Sequence, residues 1–219
     1  MAWKPFIILR KLAEVPVGDI VFYCDVGRSY PFNMLEQPVM PYLRWMAENG
    51  QDLMPGVEIP WNGPNSSWTK RETLVTLAMN FPEVHFESPV QASFSIWRSS
   101  PGSSRFVSRW MDWCSQRHLI SDDPSRVGFD ELPGFCGHRH DQALLSLCCI
   151  AEGVVGLKLS EKEPGIDTRH PSKVPLMCFG NGAAGSPLAG GLLKVAVRPV
   201  WHLEKWMRSK VKFGEPILE

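Results

Sequence analysis

The groups best suited to chemistry in this sequence fall in two short segments. The first is Tyr23-Cys24-Asp25-Val26-Gly27, where a carboxylate closes a β-branched and aromatic run and a glycine follows shortly after. A carboxylate so placed can accept from a ribose hydroxyl or ligate a divalent cation holding a diphosphate, and Gly27 lets a ligand approach the backbone. Its plainer role is an Asp that starts a turn after a strand. The second segment is Gly137-His138-Arg139-His140-Asp141-Gln142. An acid and an amide in the first turn of a helix, behind an arginine and histidines, gather hydrogen-bonding groups where the helix dipole favours anions and polar ligands. Here the plainer role is that Asp141 complements the helix N-terminus while the histidines are solvated. His138 and His140 alternate as a chelating pair can, but no third ligand is identifiable.

These segments need elements to hold them. Apolar positions at helical spacing over Phe6 to Ala13 predict a helix, and Pro16 and Gly18 predict the turn that ends it. Ile20 to Cys24 reads as a buried strand, which places Asp25 at a strand's C-terminal end, where open α/β sheets bind ligands. A helix is expected from Pro41 to Glu48, closed by Asn49-Gly50. Thr69 and Glu72 have the spacing of a capping box ahead of Leu74, Val75, Leu77 and Ala78, so a further helix should open near Lys70. Glu83 to Ile96 reads as extended, broken at Pro89. Phe106, Trp110, Trp113 and Cys114 recur at i, i+4, i+7 and i+8, the buried stripe of a helix over about Ser104 to Arg117. A loop from Ser121 to Gly137 leads to a helix from His140, with Leu144, Leu147, Cys148 and Ala151 as its apolar face. Val154 to Leu159 is expected to be a final strand. The alternation predicts an α/β fold, a mixed sheet flanked by helices.

Composition narrows the functional classes. Basic and acidic residues balance at 23 each in a chain of 219 residues, so there is no broad cationic field for a nucleic-acid backbone or an anionic membrane. No apolar run approaches the roughly 20 residues that span a bilayer, and none is expected to. Pro5 interrupts the first apolar stretch and no cleavage site follows it, so no signal peptide is expected. The six cysteines include the adjacent Cys148 and Cys149 and show no C-x-x-C spacing, which fits buried thiols in a reducing, cytoplasmic setting. Nine tryptophans suit core anchors and, in a sugar cleft, ring stacking.

Trp3-Lys4-Pro5, the run Gly18 to Gly27, Trp68-Thr69-Lys70-Arg71, Gln91-Ala92-Ser93, Phe106-Val107 with Trp110, and His138 to Gln142 with Leu144, Leu145 and Ser146 stand in a distinctive order. Together they resemble the landmarks of GT-A-type nucleotide-diphospho-sugar transferases, over residues 3–159. The resemblance implies a Rossmann-like GT-A domain that moves a sugar, of hexosyl type, from a nucleotide-sugar donor to a hydroxyl of a glycan, lipid or protein. In that family an Asp-x-Asp motif at a strand end binds the donor ribose and Mn²⁺ or Mg²⁺. Asp25 would be its first acid and a metal ligand, while Gly27 stands in place of the second. Asp141 and Gln142 are similar to an Asp-Gln pair that lies against the donor sugar, which makes them the catalytic candidates. Lys4, Lys70 and Arg139 join Asp25 and Gly27 as donor-binding candidates, and His170 is the candidate for a C-terminal histidine metal ligand. The family's first nucleotide-binding strand normally precedes the segment matching Trp3, so an N-terminally incomplete domain is expected. The alternative function is a non-catalytic, transferase-like protein that binds a glycan or a protein partner.

Residues 1–175 are expected to form that domain, and residues 176–219 a glycine-rich connection with a basic, amphipathic tail. Gly180-Asn181-Gly182-Ala183-Ala184-Gly185 fits the dinucleotide pattern G-x-G-x-x-G. However, Pro187 and Gly190-Gly191 would break the helix such a site needs.

Overall fold

Helix α1 (Trp3–Glu14) opens the chain and buries Ile8 and Leu12. Pro5 falls in its first turn, where backbone N–H groups have no intrahelical acceptor and a missing donor costs nothing. The computed structural model describes residues 3–25 and 40–158. Gly18, at φ 94°, turns the chain after α1, and its amide donates to the Ser99 carbonyl at 2.8 Å. That bond starts strand β1 (Ile20–Cys24) in register beside a strand far along the sequence.

The remaining elements follow in order. Helix α2 (Met40–Glu48) ends at Asn49-Gly50, with Gly50 at φ 61°. Short strands β2 (Leu53–Met54) and β3 (Val57–Glu58) precede a 3-10 turn at Pro60–Asn62. Three short helices come next, α3 (Asn65–Trp68), α4 (Arg71–Thr76) and α5 (Pro82–Phe86). Strands β4 (Val90–Gln91) and β5 (Phe94–Arg98) then lead into helices α6 (Pro101–Ser115), α7 (Arg117–Ile120) and α8 (His140–Glu152).

Strand β5 lies at the centre of one sheet in the order β1-β5-β2, antiparallel on both sides, and β3 pairs with β4 in a second, also antiparallel. Alternation along β1 and β5 divides the core. Val21, Tyr23 and Trp97 face Ile8, Leu12, Phe106, Val107, Trp110, Leu144 and Cys148, from α1, α6 and α8. Ile20, Phe22, Phe94 and Ile96 face Tyr42 and Met46 of α2 with Met54 and Val57. The main sheet is thus covered by helices on both faces, a mixed α and β architecture. A third cluster joins Leu74, Met79, Val84 and Leu147.

Several expectations need correction. The mixed sheet is antiparallel among the described residues, apart from one isolated parallel bridge between Val57 and Leu157. That bridge is all that forms where a strand was expected over Val154 to Leu159, the last position lying outside the described residues. Glu83 to Phe86 is helical rather than extended, because Pro82 occupies the first helical position, where its fixed φ favours the turn. The Thr69–Glu72 capping box does not form. Instead Glu131, from a distant loop, accepts the Arg71 amide at 2.7 Å, and the Thr69 hydroxyl is buried without a partner among the described residues. Helix α6 begins earlier than expected, with Ser100 accepting the Ser103 amide at 3.1 Å and Pro101 next in line. Of the described cysteines, all free, Cys114, Cys148 and Cys149 are buried as expected, whereas Cys136 is exposed. Among the described residues no helix is long and apolar enough to cross a membrane. The boundary at residue 175 and the glycine-rich segment lie outside the described residues.

Candidate functional site

Three elements bring the site together. The first turn of α1 carries Lys4, the end of β1 carries Asp25, and the first turn of α8 carries Asp141 and Gln142. The Lys4 ammonium donates to Asp25 Oδ2 at 3.0 Å and to the Ala92 carbonyl at 3.2 Å, and stands 3.3 Å from Asp141 Oδ2. Its own side chain is 13% exposed, that of Asp141 12% and that of Asp25 29%, so the cluster opens to solvent on the Asp25 side.

Local structure explains each placement. A strand's period of two puts Tyr23 on the same face as Asp25, and the Tyr23 hydroxyl donates to Asp25 Oδ1. Burial, and after it the Asp25 charge, push the Tyr23 phenol far above its usual range, so it remains a donor. The same two causes push the Cys24 thiol up to about 11, which makes it a poor nucleophile near neutrality. Asp25 is tied back by its own amide, which donates to the Ser93 carbonyl at 2.7 Å. On α8 the Trp110 indole N–H donates to the Asp141 carbonyl at 2.9 Å. Ser146 donates to the Gln142 carbonyl at 3.0 Å and accepts the Val90 amide at 2.9 Å, fixing α8 against β4.

Two polar atoms in the first turn of α8 are buried without a hydrogen-bond partner among the described residues, Asp141 Oδ2 and Gln142 Nε2. The contact of Asp141 Oδ2 with Lys4 is close enough for charge attraction but is not aligned as a hydrogen bond. Both atoms are enclosed, so the polar surface that the cluster offers outward comes chiefly from Asp25. The rings of Trp3 and Tyr23, 6.0 Å apart between centroids, flank the Lys4 ammonium at 6.0 and 5.9 Å.

The other candidates lie elsewhere. The Lys70 ammonium is committed to Glu72 at 2.9 Å and to the carbonyls of Ser121 and Asp123 at 3.3 and 3.2 Å, which uses its three protons. Burial drives the Glu72 carboxyl upward, but the hydrogen bond and charge of Lys70 hold it below its ordinary value. Arg139 lies with its guanidinium 3.9 Å from the Trp68 ring centroid. His138 accepts the Lys70 amide at Nδ1, 3.2 Å, and its Nε2 lies 2.8 Å from the Leu119 carbonyl. Both ring nitrogens are therefore engaged, and burial lowers its pKa to about 4. His140 Nε2 is 2.9 Å from Asp122 Oδ2. Neither histidine joins the carboxylates, and no group of three or more His, Cys, Asp or Glu among the described residues is arranged to hold a metal ion. Gly27 and His170 lie outside the described residues.

The carboxylates can also be tested directly against Mg²⁺ or Mn²⁺. Such an ion needs carboxylate oxygens at about 2.0–2.2 Å in open octahedral geometry. Here an ammonium stands at hydrogen-bond distance between Asp25 Oδ2 and Asp141 Oδ2, and Asp25 Oδ1 is engaged by Tyr23. As arranged, these residues do not fit a divalent cation.

No protein-family model, curated protein or solved structure matches the chain. Sequence reasoning missed the Tyr23 hydroxyl, although the two-residue spacing to Asp25 was readable. It also missed the Ala92 carbonyl and the Trp110 contact, because neither a backbone acceptor nor a cross-helix bond leaves a sequence signal.

Proposed function

We propose that this chain is a glycosyltransferase-type domain of GT-A kind, binding a nucleotide-sugar donor at Asp25, Asp141 and Gln142 and passing the sugar to a hydroxyl of a glycan, lipid or protein. The observation that carries the reading is that Asp25 and Asp141, far apart in sequence, meet on one Lys4 ammonium within 3.3 Å. The two segments singled out for sugar-nucleotide chemistry thus form one site.

The roles follow from exposure and charge. Asp141 Oδ2 and Gln142 Nε2 are enclosed, so a sugar hydroxyl meets Asp141 through the part of its side chain that stays exposed. Asp25, the most exposed of the charged groups, faces the ribose. The Asp141 carboxylate stabilises oxocarbenium character at the reacting carbon or takes a proton from the acceptor. A glycan-binding protein without turnover is the second reading, favoured by the engagement of both carboxylates with Lys4.

The test is a thermal-shift screen of the full chain against UDP-, GDP- and CMP-sugars. A ligand at a hundred times its Kd stabilises the native state by about 2.7 kcal/mol, enough to raise Tm by several degrees. One nucleotude class is expected to shift wild type and to shift Asp141→Asn much less. No shift with any donor, from a sample that melts cooperatively, would remove the transferase reading and leave glycan binding without turnover.

A further inference from the structure

We propose that Lys4 is the resident cation of this site and that ligands bind to it without Mg²⁺ or Mn²⁺. Resting on the reading of Asp25 and Asp141 as ligand-binding carboxylates, the inference assigns their counter-charge to a side chain instead of a metal. Lys4 Nζ lies 3.0 Å from Asp25 Oδ2 and 3.3 Å from Asp141 Oδ2, the two oxygens that a bridging divalent ion would share. A third contact, to the Ala92 carbonyl at 3.2 Å, holds the ammonium in place, and its side chain is mostly buried.

Lys4 is also not readily swung aside. It leaves the first turn of α1, whose Ile8 and Leu12 are locked into the core, and it passes close to the rings of Trp3 and Tyr23. A divalent ion entering between the carboxylates would meet a like charge at contact distance, in a partly desolvated setting where repulsion is poorly screened. Asp25 has a further reason to refuse it, since the Tyr23 hydroxyl donates to its other oxygen. One ammonium against two carboxylates leaves a single net negative charge, and Lys4→Gln would leave both carboxylates uncompensated. Removing the ammonium while keeping a neutral side chain of similar length should therefore create a metal site where wild type has none.

The experiment titrates the full-length chain with Mn²⁺ alone and follows the free-ion signal by electron paramagnetic resonance. Wild type is expected to leave Mn²⁺ free, Lys4→Gln to bind it, and Lys4→Gln/Asp141→Asn to release it again. Mn²⁺ bound by wild type and lost in Asp25→Asn overturns the proposal. So does a folded Lys4→Gln variant that takes up no more Mn²⁺ than wild type. Should Lys4→Gln not fold, wild type and Asp25→Asn decide between them. Mn²⁺ free in both, or bound equally by both at some other place, supports a metal-free site. The donor screen separates the two proposals. A shift that survives EDTA supports both, and one that requires Mn²⁺ keeps the transferase reading and overturns this one. With no donor shift at all, the transferase reading falls while the Mn²⁺ titration still tests Lys4.

Discussion

Burial holds His138 neutral and lowers its pKa from 6.5 to about 4, outweighing the Leu119 carbonyl, whose hydrogen bond acts in the other direction. The sign follows from proton uptake. Between those values the unfolded chain binds a proton that the folded chain refuses, so stability is complete above pH 6.5 and falls as the pH drops toward about 4. The loss amounts to about 3 kcal/mol. Denaturation midpoints measured across that window should fall for wild type and change less for His138→Gln. Beside it, Lys70 and Glu72 form an ion pair whose side chains are 5% and 4% exposed. Lys70→Met leaves the buried Glu72 carboxylate without its ammonium and should cost about 3–5 kcal/mol, whereas Lys70→Met/Glu72→Leu should recover much of that. A double variant no more stable than the single one would show that the ammonium matters mainly for the Ser121 and Asp123 carbonyls.

At the scale of elements, the joint between β2 and β3 is the tightest backbone approach near the site. A Cβ on Gly56 would lie 2.1 Å from the Gln91 carbonyl oxygen, which a backbone atom cannot relieve. On Gly156 it would meet Glu58 Cγ at 2.8 Å and Val90 Cγ2 at 3.2 Å, side-chain atoms that yield more easily than a carbonyl oxygen. Gly56→Ala should therefore destabilise by about 1–3 kcal/mol or more and Gly156→Ala by clearly less, as chemical denaturation would report. Ser146 makes a comparable joint between α8 and β4. Ser146→Ala strands the buried Val90 amide, at about 1–3 kcal/mol, and loosens Gln142, so donor binding should weaken along with Tm. The long amphipathic helices and β1 were legible because periodicity and turn residues agree there. That Asp25 follows a strand, and that Asp141 and Gln142 stand in the first turn of a helix, was legible for the same reason. What sequence could not show was set by distant partners. Glu131 replaces the local cap at Thr69, and Glu72 turns to Lys70. Lys70 reads as a surface phosphate ligand until the 121–123 carbonyls close over it. Lys4 is the converse case, a helix-start lysine whose role appears only when β1 and α8 reach it.

For the whole molecule, the order of assembly matters as much as the contacts. Among the described residues, β1 pairs only with β5 and α1 packs on α6, so neither is covered there until β5 and α6 exist. Limited proteolysis of ribosome-stalled chains of increasing length should show the α1–β1 segment protected only after α6 has left the ribosome. Protection of shorter chains would mean that it folds by itself. The Lys4 to Ala92 bond spans 88 positions. At synthesis rates of about 5–20 residues per second, Lys4 waits about 4–18 s for that partner alone, and longer for Asp141. Until those partners emerge the apolar stripe of α1 has nothing to pack on, so an element made ahead of its partners is among the last to be sheltered.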